Sequence, residues 1–234
     1  MRRLLQAGGA ICALVASPIS DAAAGPTYSF IVQTANQSGA QFQATNTAPG
    51  FNSGGAITAS FGYNGPLNFN FSGANNSTNA GDLNSSFFGA NSGAIMGYAG
   101  SGSLPGPAGA NFSTLGNFLA SSGSAAGHQY GSLYTIGLGF LAAGTTLTIT
   151  HDDGVSVFQG GTRIGSTTAG PTSVITETVL LSAGGATTLF FGRQNGSPSV
   201  LTVAVPEPAS IAILGAGLLG MAALRRRRNK TMTG

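Results

Sequence analysis

Two apolar runs bracket the chain, and between them hydrophobic and polar residues alternate over short stretches. The alternation is clearest at Leu67–Phe71, where Asn68 and Asn70 separate Leu67, Phe69 and Phe71. Successive side chains of a strand point to opposite faces, so a period of two predicts a half-buried strand. Tyr28–Thr34 and Ile57–Phe61 are further candidates, and from Tyr134 onward the signals sharpen. Thr145–Thr150 puts Leu147 and Ile149 on one face, and Val155–Gln159, Thr162–Gly165, Val174–Leu181, Ala186–Gly192 and Ser199–Val205 follow as short strands. Gly160-Gly161 is a two-residue hairpin turn, and Ala183-Gly-Gly185 and Asn195-Gly196 mark others. Ser85 to Gly127 carries so much Gly, Ser and Pro that irregular chain is expected over about 85–130. No stretch before the C-terminal run has helical periodicity. Short strands joined by Gly-rich turns predict an all-β fold over residues 25–204, an antiparallel β-sandwich of jelly-roll-like kind.

The apolar runs have different characters. At the front, Arg2 and Arg3 precede Leu4–Ala16, and the small residues Ala22-Ala23-Ala24 follow. A positive start, a short apolar run and a small-residue exit make residues 1–24 a secretory signal, cut by signal peptidase after Ala22-Ala23-Ala24. Ile11 before Cys12 is not the small residue a lipoprotein signal requires. At the back, Pro206-Glu207-Pro208 leads into Ala209–Leu224 and then Arg225, Arg226, Arg227 and Arg228. Sixteen helical residues span about 24 Å, short of the roughly 30 Å hydrocarbon core but extendable by snorkelling arginines. The arginines predict a cytoplasmic C-terminus.

Composition and charge narrow the function. Only 6% of residues are charged and 38 are glycine; soluble globular domains carry about 25% charged residues. Between residues 25 and 204, four acids (Asp82, Asp152, Asp153, Glu177) against two bases (Arg163, Arg193) leave a net charge of −2, so the basic sequence pI is a property of the termini. No basic patch remains to neutralise phosphates, and nucleic acid is excluded as a partner. Cys12 lies in the leader, so the body has neither disulfides nor a thiol nucleophile. No G-x-S-x-G elbow and no zinc-like spacing occurs in it, and its few acids include an adjacent pair ill suited to flank a glycosidic bond. The body is expected to be non-enzymatic. Gly215, Gly217 and Gly220 match the dinucleotide fingerprint, but they sit inside the apolar tail rather than between a strand and a helix.

One constellation stands out: Thr150-His-Asp-Asp-Gly154 between two strands. Asp and Gly favour turns, which is one reading. The other is a Ca²⁺ site, since hard cations take carboxylate and carbonyl oxygens, and adjacent carboxylates can chelate if the peptide between them is bent. His151 reads as a strand-end residue, His128 as a loop residue, and Arg163 and Arg193 as solvated or paired with acids.

Two resemblances extend this. The tail, Pro206-Glu207-Pro208, Ala209–Leu224 and Arg225–Arg228, resembles the PEP-CTERM sorting signal. That resemblance implies a Gram-negative bacterium, export through its inner membrane, exosortase processing near the Pro-Glu-Pro, membrane attachment through 209–224 before processing, and association with exopolysaccharide, biofilm or floc. Residues 137–203 resemble the protective-antigen-type β-sandwich of flocculins, through Leu147–Thr150, Asp152-Asp153-Gly154, Val155–Phe158, Gly160-Gly161 and Val179–Phe191. That likeness implies cis-linked Asp152 and Asp153 holding Ca²⁺, with Asn195 assisting, and the ion gripping sugar hydroxyls of an extracellular polysaccharide. This chain has Gly160 where that family often has Asp. A structural matrix protein without a ligand site and a secreted polysaccharide hydrolase are the alternatives.

Overall fold

The computed structural model describes residues 27–36, 42–45, 57–71, 85–102, 112–120, 124–125, 128–193 and 198–205. The predicted signal with Ala22 and Ala24, the tail from Pro206 onward and the Asn195-Gly196 turn lie outside the described residues. In chain order the elements are β1 (Tyr28–Asn36), β2 (Ile57–Tyr63), β3 (Asn68–Phe71), α1 (Ser85–Phe88), a 3₁₀ turn (Gly89–Ala94), β4 (Ile95–Ser101), α2 (Leu115–Leu119), β5 (Ser124–Ala125), β6 (His128–Leu141), β7 (Thr146–Asp152), β8 (Val155–Gln159), β9 (Thr162–Ile164), β10 (Ile175–Leu180), β11 (Gly185–Arg193) and β12 (Ser199–Ala204).

The strands form two sheets. One runs β4-β2-β1-β6-β11-β8-β9, with β5 beside β6, and the other runs β10-β7-β12-β3. Every pairing is antiparallel. This is the two-sheet antiparallel β architecture the alternation predicts. The period of two is visible in burial: along β7, Leu147 and Ile149 are fully buried while Thr146 and Thr148 are exposed.

The space between the sheets is filled by aromatic rings. Phe87, on α1, stacks on Phe69 at 4.9 Å, Tyr134 at 5.0 Å and Phe191 at 5.6 Å between ring centroids. Phe88 meets Phe30, Phe61 and Phe69 edge-on. Phe118, on α2, extends the cluster through Phe61 and Tyr98. Large side chains buried this way each contribute roughly 1.5–3 kcal/mol. Residues 42–45 cover part of the outer face of the larger sheet: Phe42 and Ala44 pack against Leu133, and the Ser156 hydroxyl donates to the Ala44 carbonyl.

The described chain departs from expectation in the interval read as irregular. Residues 85–102 form α1, the 3₁₀ turn and β4, an edge strand paired with β2, and α2 and β5 follow within 115–125. The helices have four and five residues, too short to show a period, and what fixes them is burial of Phe87, Phe88 and Phe118. The long central strand β6 begins at His128, which is therefore a strand residue rather than a loop residue. Gly131, Gly137 and Gly139 obscure its alternation, and at Gly137 a Cβ would lie 2.3 Å from the Ser29 hydroxyl of the paired strand unless that hydroxyl turned away.

Since Phe87 touches rings from both sheets, Phe87→Ala is expected to cost about 3–5 kcal/mol of unfolding free energy, measured by denaturant titration. A loss under about 1 kcal/mol would show that α1 is not part of the core.

Candidate cation site

The site lies where β7 leaves the smaller sheet and the chain crosses to β8 in the larger one. Asp152 ends β7, and Asp153 and Gly154 make the crossing. The Asp152–Asp153 peptide is cis. Gly154 lies under the segment 166–170: a Cβ on it would come within 1.9 Å of the Ala169 carbonyl oxygen, so only glycine fits. Its own carbonyl accepts from the Gly192 N–H at 2.9 Å. The Val155 N–H donates to the Thr168 carbonyl at 2.8 Å, and the Ala44 N–H to that of Ala169 at 2.8 Å, so three stretches of chain close over the turn.

Both aspartates are buried, at 6% and 4% exposure, and hydrogen-bonded to each other through their side chains. Burial, then the charge of Asp153 and the hydrogen bond that protonated Asp152 donates to it, push the Asp152 carboxyl from 3.8 up to about 7. The pair is thus short of positive charge.

Beside it, His151 is fully buried with both ring nitrogens engaged. Nδ1 donates to the Asp153 carbonyl at 2.6 Å and Nε2 to Glu177 Oε2 at 2.8 Å. The same Oε2 accepts the Thr168 N–H at 2.8 Å, and Oε1 accepts the Thr168 hydroxyl at 3.0 Å. Burial alone would raise the Glu177 pKa; the bonds from Thr168 and His151 and the His151 charge outweigh it, and the net shift is downward.

Of the residues singled out in the sequence, Asp152 and Asp153 come together, and Asn195 lies outside the described residues. His151 is a strand residue whose ring is occupied by protein acceptors rather than left for a metal. Arg193 is buried at 5% exposure, while Arg163 is exposed and donates to the Thr167 carbonyl. Among the described residues, no three of His, Cys, Asp and Glu gather into a metal-binding group. Further donors for a cation would have to be neutral oxygens. The Ser199 hydroxyl is buried and lacks a hydrogen-bond partner among the described residues, and the next residue, Val200, pairs with Asp152. Two touching carboxyls are oxygen donors suited to a hard cation rather than to zinc; the Ser199 hydroxyl is on the adjacent strand, on the opposite face of the pleat from Val200.

The chain pattern alone did not single out Glu177 or Ser199. Glu177 did leave a signal: it shares parity with Ile175 and buried Val179, a lone acid on the inward side of a strand.

The raised pKa of Asp152 sets a pH dependence for the calcium-free protein. Its neutral form is favoured in the folded state, so the stabilisation is greatest near pH 4 and is lost as pH rises toward about 7. Glu177 acts oppositely, losing its contribution as pH falls below its ordinary 4.5. With EDTA present, the melting temperature is expected to drop between about pH 5 and pH 7.5, and the Asp152→Asn variant to lack that drop. Parallel curves for the two proteins would refute the assignment.

No curated protein matches this sequence significantly. Two solved structures are similar in shape. The PA14 domain of the MpAFP antifreeze protein shares 16% identity over 78% of this chain and 81% of that one, with a TM-score of 0.43. A PA14 sugar-binding domain from an RTX adhesin shares 12% identity over 76% and 89%, with a TM-score of 0.40. Among the described residues no helix is long and apolar enough to cross a membrane, and 209–224 lies outside them. Residues 204–228 match the PEP-CTERM protein-sorting motif, so the chain carries the signal by which exported surface and extracellular proteins are passed to an exosortase.

Proposed function

We propose that this chain is a non-enzymatic surface or matrix protein of a Gram-negative bacterium, whose sandwich binds Ca²⁺ at Asp152 and Asp153 and, with the ion in place, hydroxyls of an extracellular polysaccharide. The observation that carries the reading is the buried contact between the two carboxyls, whose mutual repulsion and burial raise the pKa of Asp152. Asp152 and Asp153 would hold the ion through carboxylate oxygens, and Asn195, a candidate by its position in the chain, would add a neutral oxygen. Bound there, a divalent ion supplies positive charge and coordination positions that vicinal sugar hydroxyls can fill, since Ca²⁺ takes about six to eight oxygens. Sorting by the tail and glycan contact by the body would together place the protein in exopolysaccharide, biofilm or floc.

The non-enzymatic part rests on the same residues. Of the acids in the body, Asp152 and Asp153 share one contact and Glu177 is engaged by His151 and Thr168. Hydrolysis of a glycosidic bond calls for two free carboxyl groups on either side of it, and these three are engaged with the protein.

Calorimetric titration of Ca²⁺ into the protein, beside the Asp152→Ala/Asp153→Ala double variant, tests the reading. Saturable binding by the wild type, at least ten-fold weaker in the variant, is expected, followed by calcium-dependent retention on an exopolysaccharide column. Equal heats from both proteins would sink it and leave a structural turn in a matrix protein.

A further inference from the structure

The bonds around His151 and Glu177 form a closed circuit. It runs from the Asp153 carbonyl to the His151 ring, on to the Glu177 carboxylate, and from there to the N–H and hydroxyl of Thr168. The Thr168 carbonyl accepts from Val155, two residues after Asp153, and the backbone closes the ring. The circuit spans β7, β10 and the segment 166–170, and it encloses the turn that carries the two carboxyls. Asp153 O and Glu177 Oε2, which also takes the Thr168 N–H, are acceptors, so the ring donates from both nitrogens and pairs ionically with Glu177 at 2.8 Å.

We propose that His151 and Glu177 are positioning residues for the Asp152–Asp153 site, setting the direction of its two carboxyls toward a divalent cation. The inference rests on the calcium reading and goes beyond it, by assigning part of the affinity to two side chains that do not touch the ion. The geometry carries the argument. The Asp153 carbonyl is bonded to His151, so the peptide it belongs to is held from inside the sandwich. Charge-assisted bonds of this kind are roughly twice as strong as neutral ones. A chelate whose arms are already ordered loses less conformational entropy on binding, and residues locking such arms act on affinity without contacting the ligand. A circuit serving the fold alone has no need to end on the carbonyl of one of the two aspartates.

The test uses the full chain in mild detergent with Ca²⁺ alone as the probe. Calcium affinity and melting temperature, with EDTA and with calcium, are measured for the wild type, His151→Phe, Glu177→Leu and Glu177→Gln. Binding to the folded state alone raises the melting temperature with ligand concentration over Kd, so the calcium-induced rise reports the site separately from the fold. His151→Phe and Glu177→Leu are expected to weaken calcium at least ten-fold and to shrink that rise. Glu177→Gln, with the same shape and one carbonyl acceptor, is expected to recover most of it. Should His151→Phe fail to fold, the Glu177 pair carries the test, since that side chain is 22% exposed. Variants that melt lower by the same amount with and without calcium, at unchanged affinity, overturn the positioning role. A wild type that shows no calcium-induced rise overturns the calcium reading and the positioning role with it, an outcome distinct from a wild-type rise that the variants preserve.

Discussion

Two carboxyls buried against each other are the constraint from which this end of the sandwich follows. If both were ionised at about 4 Å, their repulsion would be near 4 kcal/mol at the effective dielectric of a protein near its surface, comparable to a sizeable share of a domain's total stability. A proton relieves it, which is what the upward shift of Asp152 to about 7 expresses. A cation relieves it more fully. Neither remedy determines where the carboxyls sit. That is determined by chain held on three sides: Gly154 pressed under Ala169, Val155 tied to Thr168, and Asp153 tied through His151 to Glu177.

The rest of the molecule solves a related problem. With no cysteine in the body and few charges, it must be held by burial and by neutral hydrogen bonds. Burial comes from the rings gathered around Phe30, Phe69, Phe87 and Phe88, contributed by both sheets and by the short helix between β3 and β4. Neutral bonds between strands come from small hydroxyls: Thr34 with Ser132 at 2.9 Å, and Thr150 with Thr176 at 2.8 Å. In such a scaffold the acidic and basic side chains buried among the described residues, His151, Asp152, Asp153 and Arg193, are conspicuous. Burying charge costs free energy unless it is paired, and such groups cluster at functional sites more often than elsewhere.

How far the sequence revealed this depended on what each residue does. Strands with one face in the core, such as β7 and β10, were legible because burial imposes a period of two. β6 was not: Gly131, Gly137 and Gly139 break its pattern, since glycine carries no side chain to mark a face. The helical turn at Ser85–Phe88 was hidden in residues that look like linker, since what orders them is the distant partners of Phe87 and Phe88, and no local pattern records those. At the site, the Asp-Asp-Gly run was legible as chemistry because its residues are adjacent. The Glu177 and Thr168 contributions were not, because antiparallel pairing of β10 with β7 joins residues far apart in the chain.

The two ends of β12 bring the site and the address into one geometry. Val200, one residue from the N-terminal end of β12, pairs with Asp152, whereas the match to the sorting motif begins at Ala204, its last residue. Successive strand residues advance about 3.3 Å, so the start and the end of this six-residue strand lie roughly 17 Å apart along the sandwich. The chain therefore leaves for the sorting segment from the end of the smaller sheet opposite the Asp152–Asp153 turn. This separation is a property of the smaller sheet itself. It follows from the antiparallel pairing of β12 with β7, and the register that aligns Val200 with Asp152 also fixes which end of the strand runs on into the signal.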